Sequence, residues 1–456
     1  MDRTLRLEKE RIGKLLFQFS FPAIIGMMVM ASYNIVDRVF VGRGVGALAI
    51  SGIAITFPAL IIFMAFAMLV GIGATAVISI RLGEKKITEA EETLGNALTL
   101  SIIISIILTA IFYAFLDPIL VAFGGSGEVF LYARDYSIIM LIGGVFQMVS
   151  FTMNNIIRGE GNPKMAMFTM IIGAVLNTIL NPIFIFGLHW GIKGSAWATV
   201  ISQGVSTVWV LSYFFGRKSH VHFHFHNLKL KKNIVLKIFS IGVSPFTMQL
   251  AASLVFVIFN KSLEHYGGDL AIASMAITNA VAMFIIMPIF GINQGVQPII
   301  GYNFGAKLYH RVKKVFVLAL YASTIICIFG FAVVMLFSEN IVQFFEKDNA
   351  ELLYLGSRAL RTFMLLLPLV GFQIVNAAYF QATGKPKNAM ILTITRQVVF
   401  LIPAILILPN FFALDGVWIA GPVADGLSAI LSAIFLFNEM RVLKKLESGI
   451  IQAHTI

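Results

Sequence analysis

An all-α membrane protein of twelve spans, arranged as two six-helix lobes, is the fold the sequence predicts. Three observations predict it. Hydrophobic residues make up 58% of the 456 and charged residues only 12%, with a mean hydropathy of +0.89; a soluble domain carries about 25% charged residues. The apolar residues gather in runs of about 20, the length needed to cross a hydrocarbon core about 30 Å thick. Segments of the first half also return in the second at a nearly constant offset, as in a duplicated chain.

Taken in order, the spans are expected near residues 14–37, 52–80, 93–116, 133–157, 165–188 and 194–215, then 234–260, 271–302, 315–337, 354–381, 388–408 and 415–438. The charged run Met1 to Lys14 leads into a span too long for the apolar region of a cleaved signal, so the first helix is expected to serve as its own targeting signal. The formal net charge is +12, but Lys and Arg concentrate on alternate loops and not in one basic patch. That pattern argues against a nucleic-acid partner and, by the positive-inside rule, predicts a multi-pass plasma-membrane protein with both termini cytoplasmic. The one cysteine, Cys327, falls inside the ninth span, so neither a disulfide framework nor a Cys-based metal site is expected.

The repeat is read from three correspondences. Gly46-Ala-Leu-Ala-Ile-Ser-Gly-Ile-Ala-Ile-Thr56 returns as Gly268-Asp-Leu-Ala-Ile-Ala-Ser-Met-Ala-Ile-Thr278, an offset of 222. Gly161-Asn-Pro-Lys-Met-Ala-Met167 returns as Gly384-Lys-Pro-Lys-Asn-Ala-Met390, and Pro22 as Pro245, both at 223. The expected lobes are residues 1–225 and 226–456, joined by a cytoplasmic linker at about 216–233. Six is even, so the repeats run the same way through the membrane, related by an axis along its normal. Within the linker, His220, His222, His224 and His226 alternate with apolar residues. An extended chain would put the four imidazoles on one side, where they can bind a divalent metal; the plainer reading is a solvated linker with Lys229, Lys231 and Lys232 against anionic lipid.

Ionisable residues inside spans cost roughly 2.5–3.5 kcal/mol on insertion scales and mark cavities, pairs or ion paths. Asp37, at the end of the first span, is therefore expected to bind a cation; the alternative is an interfacial acid paired with Arg38 or Arg43. Asn177 and Asn181 are four apart and so share a helix face. With Asp37 and Thr199 they offer oxygen donors and one negative charge, a donor set suited to a hard cation. Pro22, Asn154, Asn155, Gln294, Arg396 and Asp425 are candidates for the substrate cavity or gating; amides such as these more commonly join helices. No HExxH, P-loop or GxSxG occurs, which argues against an enzyme and against ATP as the driving force, leaving an ion gradient.

At this point the chain resembles the multidrug and toxic compound extrusion (MATE) family over essentially its whole length. The resemblance rests on Asn34-Ile-Val-Asp37, Ile157-Arg-Gly-Glu-Gly-Asn-Pro163, Leu176-Asn-Thr-Ile-Leu-Asn-Pro-Ile-Phe-Ile-Phe186 and Gly191-Ile-Lys-Gly-Ser-Ala-Trp-Ala-Thr199. In the second half, Gly384-Lys-Pro-Lys387 and Trp418-Ile-Ala-Gly-Pro-Val-Ala-Asp-Gly426 add to it. It implies monomeric secondary efflux of amphipathic, often cationic small molecules in exchange for Na⁺ or H⁺, with no cofactor beyond that ion. It also implies a cation site matching Asp37, Asn177, Asn181 and Thr199, with Asn181 standing where family members often have Asp. Acidic residues that another branch carries in helices 7, 8 and 10 are missing from the corresponding expected spans here, so that second site is not carried over. Arg396 and Asp425 read as a structural pair, with a substrate role as the alternative. The rival functions are a lipid or lipid-linked oligosaccharide flippase of the same superfamily and, from another class, an ion channel.

Overall fold

A computed structural model of the chain describes residues 3–216, 219–347 and 349–448. Arg217 and Lys218 of the expected linker, and the last eight residues, lie outside the described residues. The described chain is almost entirely helical, and no strand occurs in it. Its spans are α1 (Ile12–Gly44), α2 (Ala47–Gly83), α3 (Ile87–Ala114), α4 (Gly127–Gly159), α5 (Pro163–Pro182, extended by a π-helical turn Ile183–Gly187) and α6 (Gly191–Phe215). A helical path Lys232–Gly305 follows, 74 residues long and broken at Gly268. At about 1.5 Å per residue it would run far beyond any bilayer as one rod. It is read here as α7 (232–267) and α8 (269–305). Then come α9 (Tyr309–Phe345), α10 (Ala350–Phe363 and Leu367–Ala382, bent by 48°), α11 (Pro386–Ile407) and α12 (Pro409–Glu447). Ten helices pass as spans by length and hydropathy among the described residues; dividing the longest and adding the bent pair gives twelve.

The ends of the spans show the duplication in the backbone. Positive φ angles pair up at Gly46 and Gly268 (118° and 60°), Lys85 and Lys307 (61° and 58°), Gly161 and Gly384 (99° and 71°), and Gly191 and Ala413 (57° and 49°). Each pair is 222 or 223 residues apart. Gly268, with ψ −158°, occupies a region that side chains exclude, so only glycine makes that break cheaply. α5 and α11 begin alike, a positive-φ glycine leading to a proline at the first helical turn, where a missing N–H costs nothing. At α5 the Asn162 side chain also caps the turn, accepting from the Met165 N–H at 3.3 Å.

By packing, the chain forms two compact units, and neither is one continuous stretch. The first holds residues 21–246 with the first ten; the second holds 11–20 and 247–456. α1 passes from the second unit to the first between Ser20 and Phe21, beside Pro22, and α7 leaves the first at Phe246, beside Pro245. Within the second unit a Cβ on Gly295 would stand 2.6 Å from Ser20 Oγ. Within the first, Cβ atoms on Gly73 and Gly242 would meet the carbonyl oxygens of Ile238 and Leu69 at 2.2 and 1.8 Å. Lipid supplies no hydrophobic drive between helices, so such small-residue contacts carry the packing. Leu336, Phe329 and Phe284 are 70% or more exposed, a surface suited to acyl chains and unsuited to water.

Candidate functional site

Three helices of the first unit bring the predicted cation ligands together. α1 carries Asp37, seven residues before its end; α5 carries Asn177 and Asn181; α6 carries Thr199. Asn181 Nδ2 donates to Asp37 Oδ1 at 2.7 Å and to Asn177 Oδ1 at 2.9 Å, and Asn177 Nδ2 donates to Thr199 Oγ1 at 3.0 Å. The four residues thus form one hydrogen-bonded chain across α1, α5 and α6. A fifth member, Ser195, donates to Asp37 Oδ1 at 3.0 Å. It lies four residues before Thr199, on the same face of α6, and that spacing was the available signal for it. Tyr33 and buried Tyr136 stand within electrostatic reach of Asp37.

Local sequence explains the arrangement. Pro182 follows Asn181 directly, and a proline there removes a helical N–H and crowds the carbonyl four residues back. The chain answers with the π-helical turn Ile183–Gly187, a feature often found at functional sites. Two glycines let neighbouring helices close on that turn. A Cβ on Gly44 would come within 2.3 Å of Ile185 Cγ2, and one on Gly194 within 3.0 Å of the Phe184 carbonyl. Gly194 thereby seats the start of α6, and Ser195 with it, against α5. Val41, Ile185, Ile192 and Ala196 form the apolar core beneath.

Asp37 makes no ion pair among the described residues, neither with Arg38 nor with Arg43, although the Arg38 charge is within electrostatic reach; the groups that hydrogen-bond to it, Asn181 and Ser195, are both neutral. Its Oδ2 accepts no hydrogen bond among the described residues. Asn181 is fully buried, and its Oδ1 has no hydrogen-bond partner among the described residues. An orphaned buried acceptor costs about 1–3 kcal/mol, which a cation or donor arriving there relieves. No group of three or more His, Cys, Asp or Glu suited to a metal occurs among the described residues. In the linker, His224 stacks on His226 at 5.5 Å and its Nε2 lies 3.4 Å from Glu91, instead of joining a row of imidazoles.

The remaining predicted residues lie apart from this group. Asn154 joins α4 to α5, its Nδ2 donating to the Ala166 carbonyl at 2.8 Å. Asn155 bonds to the Phe151 carbonyl and accepts from Arg158 at 2.7 Å. Pro22 sits inside α1 and Gln294 is half-buried in α8. Arg396 Nε and Nη2 both reach Asp425 Oδ1, at 2.8 and 2.7 Å, in the second unit. Arg396 belongs to a π-helical turn, Thr395–Leu401, in α11.

Sequence reasoning missed a buried carboxylate just past α4. Glu160 is 0% exposed and accepts from the Tyr213 hydroxyl, from Ser219 Oγ at 2.7 Å, and from the His220 and Val221 amides at 3.2 and 3.3 Å. Burial pushes its carboxyl up to about 7, against the lowering effect of those donors. Its partners are 53 to 61 residues away in sequence, so no local pattern announced them.

The MatE family profile matches residues 22–183 and 246–406, two stretches starting 224 residues apart. The chain belongs to the MATE family. It is 30% identical over 437 residues to the multidrug export protein MepA of Staphylococcus haemolyticus (strain JCSC1435), covering 96% of each chain. Among solved structures, the MATE multidrug transporter DinF-BH in complex with R6G matches at 41% identity, with a TM-score of 0.88 and 94% and 96% of the two chains covered. A MATE transporter in a bent conformation matches at 26% identity and a TM-score of 0.91, covering 98% of this chain and 99% of that one. The protein is a multi-pass membrane transporter of two-lobed MATE fold.

Proposed function

We propose that this transporter exports amphipathic, often cationic small molecules in exchange for Na⁺ or H⁺, by alternating access, with Asp37 as the carboxylate that takes the ion. The observation that carries this reading is the shell of Asp37, which is built only from neutral donors among the described residues. A carboxylate held by amide and hydroxyl donors keeps a charge that no hydrogen-bonded cation balances, and so attracts an ion; one paired with arginine stays ionised, but its charge is already balanced. Asn177, Asn181, Thr199 and Ser195 would complete the ion's oxygen shell.

The two ions would use the site differently. The Asn181 amide directs its nitrogen at Asp37, so Na⁺ between the two must turn that amide to present oxygen. A proton on the free Oδ2 requires no such turn. Either ion removes the net charge of a single carboxylate, which lowers the cost of burying it when the cavity closes. Coupling then requires drug and ion to prefer different states, since a ligand that binds both equally shifts nothing.

A groove beside the site offers room for the exported molecule. It measures about 410 Å³ and lies between α1 and α5, lined by Met28, Tyr33, Val36, Val175 and Ile179 among others. Tyr33 and Val36 border both the groove and the turn of α1 that carries Asp37, so filling the groove would bear directly on the carboxylate. A flexible thioether and an aromatic face suit varied organic cations. Arg396, the one basic residue deep in a predicted span, is engaged by Asp425, which argues against a flippase cavity recruiting pyrophosphate through it.

Proteoliposomes given a Na⁺ gradient or a proton gradient separately test the proposal. Efflux of a fluorescent organic cation driven by one gradient and lost in Asp37→Asn is expected. Gradient-driven efflux undiminished in Asp37→Asn would overturn the role of Asp37, and flux without any gradient would favour a flippase or channel.

A further inference from the structure

A second cavity of the first unit, about 440 Å³, lies where α2 ends and where α3 and α7 begin. Arg81, Lys231, Lys232 and Lys237 line it together with Glu89, Glu92 and Thr93, and Val77 and Ile234 add apolar wall. The acids are engaged. Arg81 pairs with Glu84 and, at 3.0 Å, with Glu89; Lys86 lies 3.1 Å from Glu84; Lys231 lies 2.6 Å from Glu92. Lys232 and Lys237 have no carboxylate partner among the described residues, so the cavity keeps a surplus of two positive charges.

The wall that carries these lysines is fixed in place. Asn96, fully buried on α3, donates to the carbonyls of Asn227 and Lys229 at 3.3 Å each and accepts from the Lys231 N–H at 2.7 Å. Thr99 Oγ1 donates to the Leu228 carbonyl at 2.9 Å. A Cβ on Gly95 would stand 2.4 Å from the Asn227 oxygen, so only glycine lets the linker lie this close. The Lys231 carbonyl accepts from the Ile234 and Val235 N–H groups at 2.9 and 3.0 Å, so α7 starts at the cavity wall with the positive end of its dipole beside the two lysines.

We propose that this cavity binds a phosphate-bearing anion, the headgroup of an acidic phospholipid. Its level supports a lipid. Arg81 is two residues from the end of α2 and Glu89 two residues into α3, so the cavity stands where spans meet water, at headgroup depth. Lys232 and Lys237 contact the phosphate, and Val77 and Ile234 face the glycerol and first methylenes. The site is separate from the Asp37 group and stands whether or not the ion coupling proposed above holds.

The test uses the full-length transporter in detergent, with retained lipid read by native mass spectrometry against phosphatidylglycerol and phosphatidylcholine. The wild type should retain phosphatidylglycerol in preference to phosphatidylcholine. Lys232→Gln with Lys237→Gln should lower its apparent affinity for phosphatidylglycerol on the order of tenfold. Lys313→Gln with Lys314→Gln, the same charge change at exposed positions of α9, should leave it unchanged. Equal losses in both double variants, or no loss in the first, overturn the site. Displacement of the lipid by millimolar inorganic phosphate would make the ligand a soluble anion and overturn the lipid assignment.

Discussion

Four acids, Asp37 and Glu160 in the first unit and Asp425 and Glu439 in the second, have opposite kinds of partner. In the first, Asp37 is held by Asn181 and Ser195, and Glu160 by Tyr213, Ser219 and two backbone amides, all of them neutral donors. In the second, Asp425 is held by Arg396, and Glu439 by Lys385 at 2.7 and 2.8 Å with Tyr379 at 2.9 Å. Neutral donors stabilise a carboxylate without cancelling it, whereas a cation cancels it and fixes it in place. These acids therefore differ in kind: Asp37 and Glu160 accept hydrogen bonds from neutral groups, and Asp425 and Glu439 are ion-paired ties between helices.

The sharpest way to break this contrast is Asp37→Asn, which should abolish gradient-driven efflux in proteoliposomes while expression and thermal stability stay near wild type. Next in size, Asp425→Asn leaves the Arg396 guanidinium without its counter-ion. It should destabilise the protein by about 3 kcal/mol, read as a lowered melting temperature that Arg396→Gln in the same chain partly restores. Asn181→Asp would add a second carboxylate near the first, attracting a cation by roughly 1–4 kcal/mol at contact distance. It should tighten half-saturation by Na⁺ on the order of tenfold and favour Na⁺ over H⁺ as the driving ion. Ser195→Ala removes one of two donors to Asp37 and should shift the ion dependence of transport a few-fold, since Asn181 remains.

The smallest effect concerns Glu160. Its carboxyl titrates higher in the fold, at about 7, than its ordinary value of 4.5, because burial disfavours the charged form. The fold therefore binds that proton more tightly than the unfolded chain does. The stability it contributes is complete below pH 4.5 and is lost as the pH rises through about 7. Melting temperatures measured across that window should fall for the wild type by a few degrees more than for Glu160→Gln.

Much of the fold was legible because bilayers impose simple demands. Spans announce themselves by length and hydropathy, and six spans per repeat followed from the offsets of Gly46 with Gly268 and Gly161 with Gly384. The same backbone turns at Lys85 with Lys307 and Gly191 with Ala413 were not legible, since neither lysine nor alanine signals a positive φ. The tenth span gave no sign of its 48° bend either. At the site, Asn177 and Asn181 could be placed on one face by spacing alone, and Asp37 by its cost in a membrane. Ser195 escaped notice because serine is unremarkable near the start of a helix. The Glu160 cluster escaped because its partners meet only after more than fifty residues of intervening chain have folded.

The crossing of α1 and α7 between packing units bears on how such a chain could be divided. A polypeptide cut at the sequence repeat, between 225 and 226, would strand residues 11–20 on the fragment that lacks Gly295 and Leu318, their packing partners. It would also strand residues 226–246 away from Leu69 and Gly73. Neither fragment would own a complete set of helices. Each sequence repeat thus lends its opening segment to the packing unit built mainly from the other, so a boundary drawn by sequence and one drawn by packing fall in different places.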